Sequence, residues 1–428
     1  LGGYLWAIDM LLVRVLLLLL LLPIMQQLHY PLGGYLWAID MLLVRVLLLL
    51  LLLPIMQQLH YPLGGYLWAI DMLLVRVLLL FLATCVLLGP TLRHQSTDFL
   101  YLVCCLVASN YWWQGLGKLA LLWSSHGHLY YILLAAYAHG WLAFLTPTTV
   151  VSWAHLLAWF DWPLVVATLL IECGALFCLW RRATCLVFLS AWILFHVGAF
   201  AMMGYCFWKW VTLNSALLVL LSRKGVAAAM FTPAYAVLAL CLIGGTSVWF
   251  TPLTRLAWYD TRLSYTYRFE ALAASGKRYA VPSSFFRPYD DHFTMGLFGA
   301  ITPQPSLVGP YGVTHNRHLA EALLQARHPD HIRALEETLP ARPVDAGRVA
   351  ALDNFIRQFI GNFNSQGAQR MLLSWLHPPP LLWSFARGEA FTGQEQIRQV
   401  TVWQVTSLYD DRHYFEMRRD LVRTINIP

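Results

Sequence analysis

Long apolar runs fill the chain as far as about Phe250, and nearly all of its dense charge lies beyond that point. Only 12% of the residues are charged, whereas a soluble domain carries about 25%. Apolar stretches of about 20 residues are long enough to cross a bilayer as helices. The distribution therefore predicts a mainly α fold, in which a polytopic transmembrane helical bundle is followed by a C-terminal extramembrane α+β domain.

The chain starts with a tandem repeat. Residues 1–31 and 32–62 are identical, and residues 63–80 repeat the first eighteen positions again. Perfect identity is not typical of solenoid proteins, whose repeats keep only the positions that the structure demands. We interpret residues 1–62 as an artefactual duplication of one hydrophobic segment and expect no function there. Because the chain begins with Leu1 rather than Met, we also expect it to be a fragment.

Residues 63–250, here called the apolar half, contain a series of apolar segments that predict transmembrane helices. Tryptophan and tyrosine crowd the ends of these segments, as they do at the two surfaces of a membrane. The predicted helices are Met72–Gly89, Leu100–Trp123, Tyr130–Leu145, Val150–Phe160, Pro163–Trp180, Thr184–Met203, Trp210–Leu221 and Ala227–Phe250.

Two basic pairs predict the topology. Arg181-Arg182 and Arg223-Lys224 flank the two spans that lie between them, and the positive-inside rule places such pairs in the cytoplasm. The helix that follows would carry residues 251–428 to the other side of the membrane. We therefore expect a multi-pass integral membrane protein with its C-terminal region on the non-cytoplasmic side.

The C-terminal region, residues 251–428, has the pattern of a small α+β domain. Leu263–Phe269 alternates like a strand and leads to Ser275-Gly276-Lys277, which predicts a hairpin turn into Arg278–Val281. Val400–Leu408 predicts a further strand. Helices are expected at Leu319–Ala326, Ile332–Leu339 and Val349–Asn362.

Charge and cysteine usage argue against several classes of partner. The net charge of +7 is spread over loops and the C-terminal region, without the clustered basic residues that nucleic-acid binding uses, so we expect no nucleic-acid partner. The eight cysteines lie in or beside apolar segments and have neither zinc-ligand spacing nor the pattern of a disulfide scaffold. His126-Gly-His128 lacks an obvious third ligand, and we predict no metal site.

Three ionisable residues inside the apolar segments are the candidates for chemistry. Lys118 lies in the predicted span Leu100–Trp123, Glu172 is the one carboxylate of its segment, and His196 lies in the middle of another. Charged groups are costly at the centre of a bilayer, so they face a protein interior, a partner or a cavity. A lysine kept out of water is deprotonated more readily and can then act as a general base. Pairing of Glu172 with Lys118 or His196 is an open possibility.

The segment Tyr111-Trp-Trp-Gln-Gly-Leu-Gly-Lys118-Leu119 resembles the signature helix of the vitamin K-dependent γ-glutamyl carboxylase family. That family and its bacterial relatives share the HTTM (horizontally transferred transmembrane) domain. Phe195-His196 is similar to the Phe-His pair of a later helix in the family. The resemblance covers roughly residues 63–250 and is weaker in the C-terminal region. It departs from the family at Gly117, where many members have a second lysine.

The resemblance implies a membrane enzyme of the carbon–carbon lyase class. In the implied reaction, a reduced quinone of the vitamin K or menaquinol type is deprotonated and oxygenated by O₂, and the resulting base removes a proton from a carbon atom to which CO₂ then adds. Lys118 would act as the base on the quinone and His196 would orient or stabilise the oxygenated quinone. The expected quinone-binding residues are Trp112, Trp113, Trp192 and Glu172, and the C-terminal region would bind a peptide or protein substrate.

Two other functions fit the same sequence. The Gly115–Leu119 segment and the Trp208–Leu213 turn are also similar to lipase maturation factors, which are regarded as non-catalytic assembly factors in membranes. The third possibility is a DoxX-like quinone-linked redox subunit. A catalytic site requires a shielded Lys118 beside a cavity of ligand size, whereas an assembly factor predicts an ion-paired Lys118 and tight packing.

Overall fold

The computed structural model describes residues 95–123, 128–222, 230–246, 256–287, 289–296, 298–304, 306–339, 343–366 and 380–428. The duplication at 1–62 and the predicted helix at 72–89 lie outside these ranges. Residues Val103–Gly367 and Pro380–Pro428 belong to one compact unit. As the sequence predicts, the described chain is mostly helical and has a β-sheet in its C-terminal region.

The described helices of the apolar half are α1 (Gln95–Ala120), α2 (Leu129–Ala138), α3 (Pro147–Cys173), α4 (Arg182–Met203), α5 (Trp208–Ser222) and α6 (Pro233–Gly244). A 3₁₀ segment, Gly174–Trp180, joins α3 to α4.

The largest difference from the predicted helices is in α3. We predicted a break before Pro163, because proline removes a backbone hydrogen bond inside a helix, but α3 runs through it. Asp161, just before the proline, does not end α3. Its side chain instead accepts a hydrogen bond from the Leu129 N–H at the start of α2 (2.7 Å). The prediction of two separate helices at 150–160 and 163–180 was therefore wrong.

The predicted helix at 130–145 also ends earlier than expected. α2 stops at Ala138, and Gly140 has a φ of +99°, which ends helical geometry and suits glycine. A Cβ at Gly140 would lie 2.8 Å from the carbonyl oxygen of Phe385, so the chain of the C-terminal region passes directly over this turn.

Two described helical stretches are long and apolar enough to cross a membrane. They are Pro147–Trp180 and Arg182–Met203, with mean hydropathies of 2.0 and 2.1. The other apolar helices in the described ranges, Leu129–Ala138, Trp210–Ser222 and Pro233–Gly244, have 10 to 17 residues. Within the described ranges, length and composition alone therefore identify two candidate spans, and the multi-pass arrangement stays a prediction.

In the described part of the C-terminal region, the strands form two antiparallel sheets. Strands β2 (Leu263–Ala273), β3 (Arg278–Val281), β5 (Ile397–Tyr409) and β6 (Tyr414–Asn426) form a four-stranded sheet in the order β3-β2-β5-β6. Strands β1 (Tyr259–Asp260) and β4 (Val313–Thr314) form a separate pair. The predicted hairpin is confirmed, and its turn contains Gly276 at a φ of +86°. Strand β6 was missed because its run of charged residues hides the alternation.

The helices of the C-terminal region are α7 (Asp290–Met295), α8 (Arg317–Gln325), α9 (Pro329–Glu337) and α10 (Ala346–Gln366). The three longer ones match the predicted helices to within a few residues. Tyr409 and Tyr414 at the β5–β6 turn pack in one buried cluster with Tyr131 and Tyr137 of α2. The sheet and the helical half of this unit therefore share a core.

Candidate functional site

Lys118 and Glu172 form a buried ion pair between α1 and α3. The Nζ atom of Lys118 lies 2.6 and 2.7 Å from the two carboxylate oxygens of Glu172. The residues are only 6% and 3% exposed. The ammonium group also lies 5.3 Å from the ring centroid of Trp123. Lys118 is therefore the one of the two predicted partners that contacts Glu172.

The helices that carry this pair are in close contact at Gly115. A Cβ added there would lie 2.7 Å from Sγ and 2.9 Å from the backbone nitrogen of Cys173. Gly115 is one turn before Lys118 on α1, so the absence of a side chain lets α1 approach α3 closely enough for the ion pair to form.

A second polar group surrounds the hydroxyl of Tyr111. Nδ2 of Asn214, on α5, donates to Oη of Tyr111 (2.9 Å), and Oη lies 2.8 Å from Nε2 of His196, on α4. The Tyr111 ring stacks on Trp192, with centroids 4.1 Å apart and planes 5° apart. We call Tyr111, Trp192, His196 and Asn214 the tyrosine cluster.

The hydrogen bonds of the tyrosine cluster determine which of its atoms donate a hydrogen and which accept one. Since Oη of Tyr111 accepts from Asn214, its own hydrogen is available to Nε2 of His196. A neutral imidazole that accepts at Nε2 carries its proton on Nδ1. Among the described residues, neither Nδ1 of His196 nor Oδ1 of Asn214 has a hydrogen-bond partner, although both atoms are buried. The cluster thus offers one open donor and one open acceptor.

Leaving such atoms unsatisfied costs about 1–3 kcal/mol each, so native structures pair them with protein, water or a ligand. The tyrosine cluster therefore has the chemistry of a site for a small polar group within aromatic walls. A hydroxyl group has the matching chemistry, because it can accept from an N–H such as Nδ1–H and donate to an oxygen such as Oδ1.

Four of the six predicted site residues divide between these two groups. Lys118 and Glu172 belong to the ion pair, and His196 and Trp192 belong to the tyrosine cluster. Trp112 and Trp113 follow Tyr111 directly, and successive helical residues are about 100° apart around the axis, so the three side chains leave α1 in different directions. Their predicted contact with a quinone stays a prediction.

Lys118 and Tyr111 are seven residues apart on α1. At 1.5 Å per residue, this is about 10 Å along the helix axis. The ion pair and the tyrosine cluster are therefore neighbouring but separate groups on one face of α1.

Asn214 is the member of the site that sequence analysis missed. It is a fully buried amide in the apolar run of α5. The signal was available, because a polar residue in such a run is costly unless it contacts a partner. Tyr111 was noted only as part of the lysine motif.

Asp260 on β1 is a further buried acid. Trp258 Nε1 donates to its Oδ1 (2.9 Å), while Oδ2 has no hydrogen-bond partner among the described residues. Burial raises the pKa of Asp260 from 3.8 to about 8, against the opposing effects of the Trp258 hydrogen bond and the positive charge of Lys118.

The histidines of other motifs lie outside the site. His139 is hydrogen-bonded at both ring nitrogens, with Thr294 O (2.7 Å) and the N–H of Tyr311 (3.3 Å). His128 lies beside Asp161, at 3.5 Å, and His126 is outside the described ranges. In the part of the chain that the structure describes, no group of three or more His, Cys, Asp or Glu is arranged to hold a metal ion.

Comparisons of the chain with protein-family models, with curated proteins and with solved structures give no match.

Proposed function

We propose that the protein is a multi-pass integral membrane enzyme of the vitamin K-dependent carboxylase type, which binds a reduced quinone at the tyrosine cluster. The observation that carries this proposal is the pair of open, buried hydrogen-bonding atoms on His196 and Asn214 beside the stacked rings of Tyr111 and Trp192. A hydroquinone combines a flat aromatic ring with hydroxyl groups, so it matches both features.

The outward faces of the long helices support the membrane part of the proposal. Large apolar side chains on them are exposed, among them Trp159 (84%), Leu194 (70%) and Val187 (66%). Exposed apolar surface of this size is typical of contact with lipid or with another protein. Sidedness follows from the predicted topology, with the C-terminal region on the non-cytoplasmic side.

In this proposal, His196 and Asn214 hold the hydroxyl of the reduced quinone, and Trp192 with Tyr111 forms one wall of its site. A bound quinol supplies the oxygen-reactive electrons, with O₂ and CO₂ as co-substrates. Lys118 keeps its predicted role as base, and Glu172 holds its ammonium group. Proton transfer from Lys118 to Glu172 would leave a neutral amine.

The C-terminal region offers a place for the predicted peptide substrate. A groove of about 520 Å³ runs along α10 and is lined by Val349, Asp353, Arg357 and Arg423, among others. Its apolar wall and exposed guanidinium groups suit an extended peptide better than an apolar ligand.

The non-catalytic assembly factor is the second candidate, because Lys118 is ion-paired and α1 packs tightly on α3 at Gly115. These are the two features that distinguish it from the enzyme in the sequence analysis. An assembly factor needs no free amine, whereas the carboxylase reaction needs one at some stage.

The test is formation of quinone epoxide by protein in lipid nanodiscs that is supplied with chemically reduced menaquinone and O₂. We compare the wild type with Lys118→Met/Glu172→Leu, which removes both charges and leaves no buried ion without a partner. The proposal predicts epoxide from the wild type and at least a 100-fold loss in the double variant. If folded wild-type protein forms no epoxide, the assembly-factor function is preferred.

A further inference from the structure

Three cysteine side chains from three elements meet in the helical part of the unit. They are Cys104 of α1, Cys178 of the 3₁₀ segment and Cys185 of α4, and they are 3%, 1% and 0% exposed. The sulfur atoms of Cys178 and Cys185 are 3.9 Å apart. Cys104 also interacts with Cys185 through its thiol. All three are free thiols.

The turn between Cys178 and Cys185 is held by local hydrogen bonds. Oγ1 of Thr184 donates to the carbonyl oxygens of Cys178 (3.2 Å) and Arg181 (2.6 Å), and the N–H of Arg181 donates back to Oγ1 (3.0 Å). The two thiols therefore face each other across a hydrogen-bonded turn of six intervening residues. A disulfide requires the two sulfurs, which are 3.9 Å apart, to come to about 2.05 Å.

The thiols lie on the same helix faces as the tyrosine cluster. The buried residues of α4 are Cys185, Leu189, Trp192 and His196, whose spacing of three to four residues marks one face. On α1, Cys104 and Tyr111 are likewise seven residues apart. Cys104 is therefore about two helical turns, or about 10 Å, from Tyr111 along α1, and Cys185 is the same distance from Trp192 along α4.

We propose that Cys178 and Cys185 are a redox-active dithiol that reduces a quinone to the quinol used at the tyrosine cluster. Two S–H bonds break and one S–S bond forms. The two electrons and two protons pass to the two oxygens of the quinone, which becomes a hydroquinone. Cys104 is the neighbouring thiol that can exchange with this disulfide: its thiolate attacks Cys185, a Cys104–Cys185 disulfide forms, and Cys178 leaves as a thiol. The inference rests on the proposed function, since the quinone is its oxidant.

A dithiol of this kind differs in a measurable way from cysteines that only fill space. Buried structural cysteines are inert, so a purely packed trio would keep all three thiols in the presence of a quinone. Isolation inside the helices also favours an apolar oxidant over a water-soluble one.

The test uses the whole protein in nanodiscs, without oxygen, incubated with duroquinone. Every ring carbon of this quinone that could add a thiol carries a methyl group, so only electron transfer consumes thiols. The remaining thiols are then blocked in denaturant, and the peptides are analysed by mass spectrometry. We expect a Cys178–Cys185 disulfide and one duroquinol for each disulfide.

The matched control is Cys241→Ala, which removes the exposed cysteine of α6 and should give the same yields. Cys185→Ala removes the thiol that both Cys104 and Cys178 approach, so it should lower duroquinol to the background of protein-free nanodiscs. Wild-type protein that keeps Cys178 and Cys185 fully reducible to the blocking reagent after exposure to duroquinone would overturn the inference without need of any variant.

The epoxide assay starts from a quinol that is already reduced, so it does not depend on the dithiol. Epoxide without the disulfide overturns the dithiol alone. The disulfide without epoxide overturns the carboxylase-type reaction and leaves a quinone-reducing thiol pair.

Discussion

Charged side chains are used in opposite ways in the two parts of this molecule. In the apolar half, Lys118 meets the single carboxylate of Glu172, and both side chains are at most 8% exposed. In the C-terminal region, Asp353 is shared by Arg357 and Arg423, whose side chains are both 42% exposed. A charge buried with one partner depends entirely on that partner, whereas a half-exposed network has water and further charges to replace a lost contact. Substitution of one charged residue should therefore cost more stability at the buried pair of the apolar half than in the half-exposed network of the C-terminal region.

The largest effect is expected from breaking the buried pair. Lys118→Met leaves the carboxylate of Glu172 buried without its partner, which should lower the free energy of unfolding by about 3–5 kcal/mol. Lys118→Met/Glu172→Leu should recover most of this loss, because no buried charge remains. Chemical unfolding in mixed micelles measures both. Equal destabilisation by the single and the double variant would show that packing, and not the unpaired charge, is responsible.

Asp260 lies where the two parts meet and should give the protein a pH-dependent stability. The pKa of its carboxyl is raised to about 8 in the folded protein from 3.8, so between these values the folded state keeps a proton that the unfolded state has released. Rising pH therefore favours unfolding, by about 1.4 kcal/mol per pH unit in this range. Unfolding curves at pH 5, 6 and 7 should show the decline in the wild type, and Asp260→Asn should remove it.

The control for this prediction is Asp330→Asn, since the side chain of Asp330 is 84% exposed. It should keep the slope of the wild type. An unchanged slope in Asp260→Asn would mean that another group causes the pH dependence.

Gly115 tests whether close packing of α1 on α3 is needed for the ion pair. Gly115→Ala places a methyl group 2.7 Å from Sγ of Cys173, and such overpacking costs about 1–3 kcal/mol. Gly198→Ala on α4 is the matched substitution, because a Cβ there has no atom within 4 Å. It should leave the melting temperature unchanged or raise it slightly. Similar melting temperatures for the two variants would contradict the close approach of α1 and α3.

The smallest effect on stability is expected from an exposed ion pair of the C-terminal region. Lys277 and Glu389 form an ion pair whose side chains are 51% and 57% exposed, and exposed pairs contribute little to stability. Lys277→Gln should leave the melting temperature of the protein within error of the wild type at low and at high salt. A clear loss of stability would show that the C-terminal region depends on single charges as the apolar half does.

In the apolar half, the sequence predicted which ionisable residues are buried better than it predicted the contacts that they make. Lys118, Glu172 and His196 stood out because ionisable groups are rare in apolar runs, and the Lys118–Glu172 contact was one of two alternatives. Asn214 was overlooked because it carries no charge, although a buried amide without a partner is also costly. The hydrogen bonds around Tyr111 join α1, α4 and α5, and no local pattern in the sequence encodes contacts over such separations.

In the C-terminal region, the opposite holds. The hairpin of β2 and β3 was predictable because alternation and a glycine turn are local signals. Strand β6 was missed, since Glu416, Arg418 and Arg419 reflect its exposed position at the edge of the sheet rather than its strand geometry. In the apolar half, the sequence predicted a helix end at Pro163 that the structure does not have, because proline is unfavourable inside most helices but α3 continues through it.

The central claim is that the open hydrogen-bonding atoms of the tyrosine cluster bind the hydroxyl of a quinol. The most direct measurement is the affinity of a reduced, short-chain menaquinone for wild-type protein and for Asn214→Leu in nanodiscs, followed by quenching of tryptophan fluorescence. We expect at least a tenfold weaker affinity in Asn214→Leu, because the open acceptor is lost, and the wild-type affinity in the control Gly198→Ala. Equal affinities in Asn214→Leu and the wild type, or no binding to the folded wild type, would contradict it.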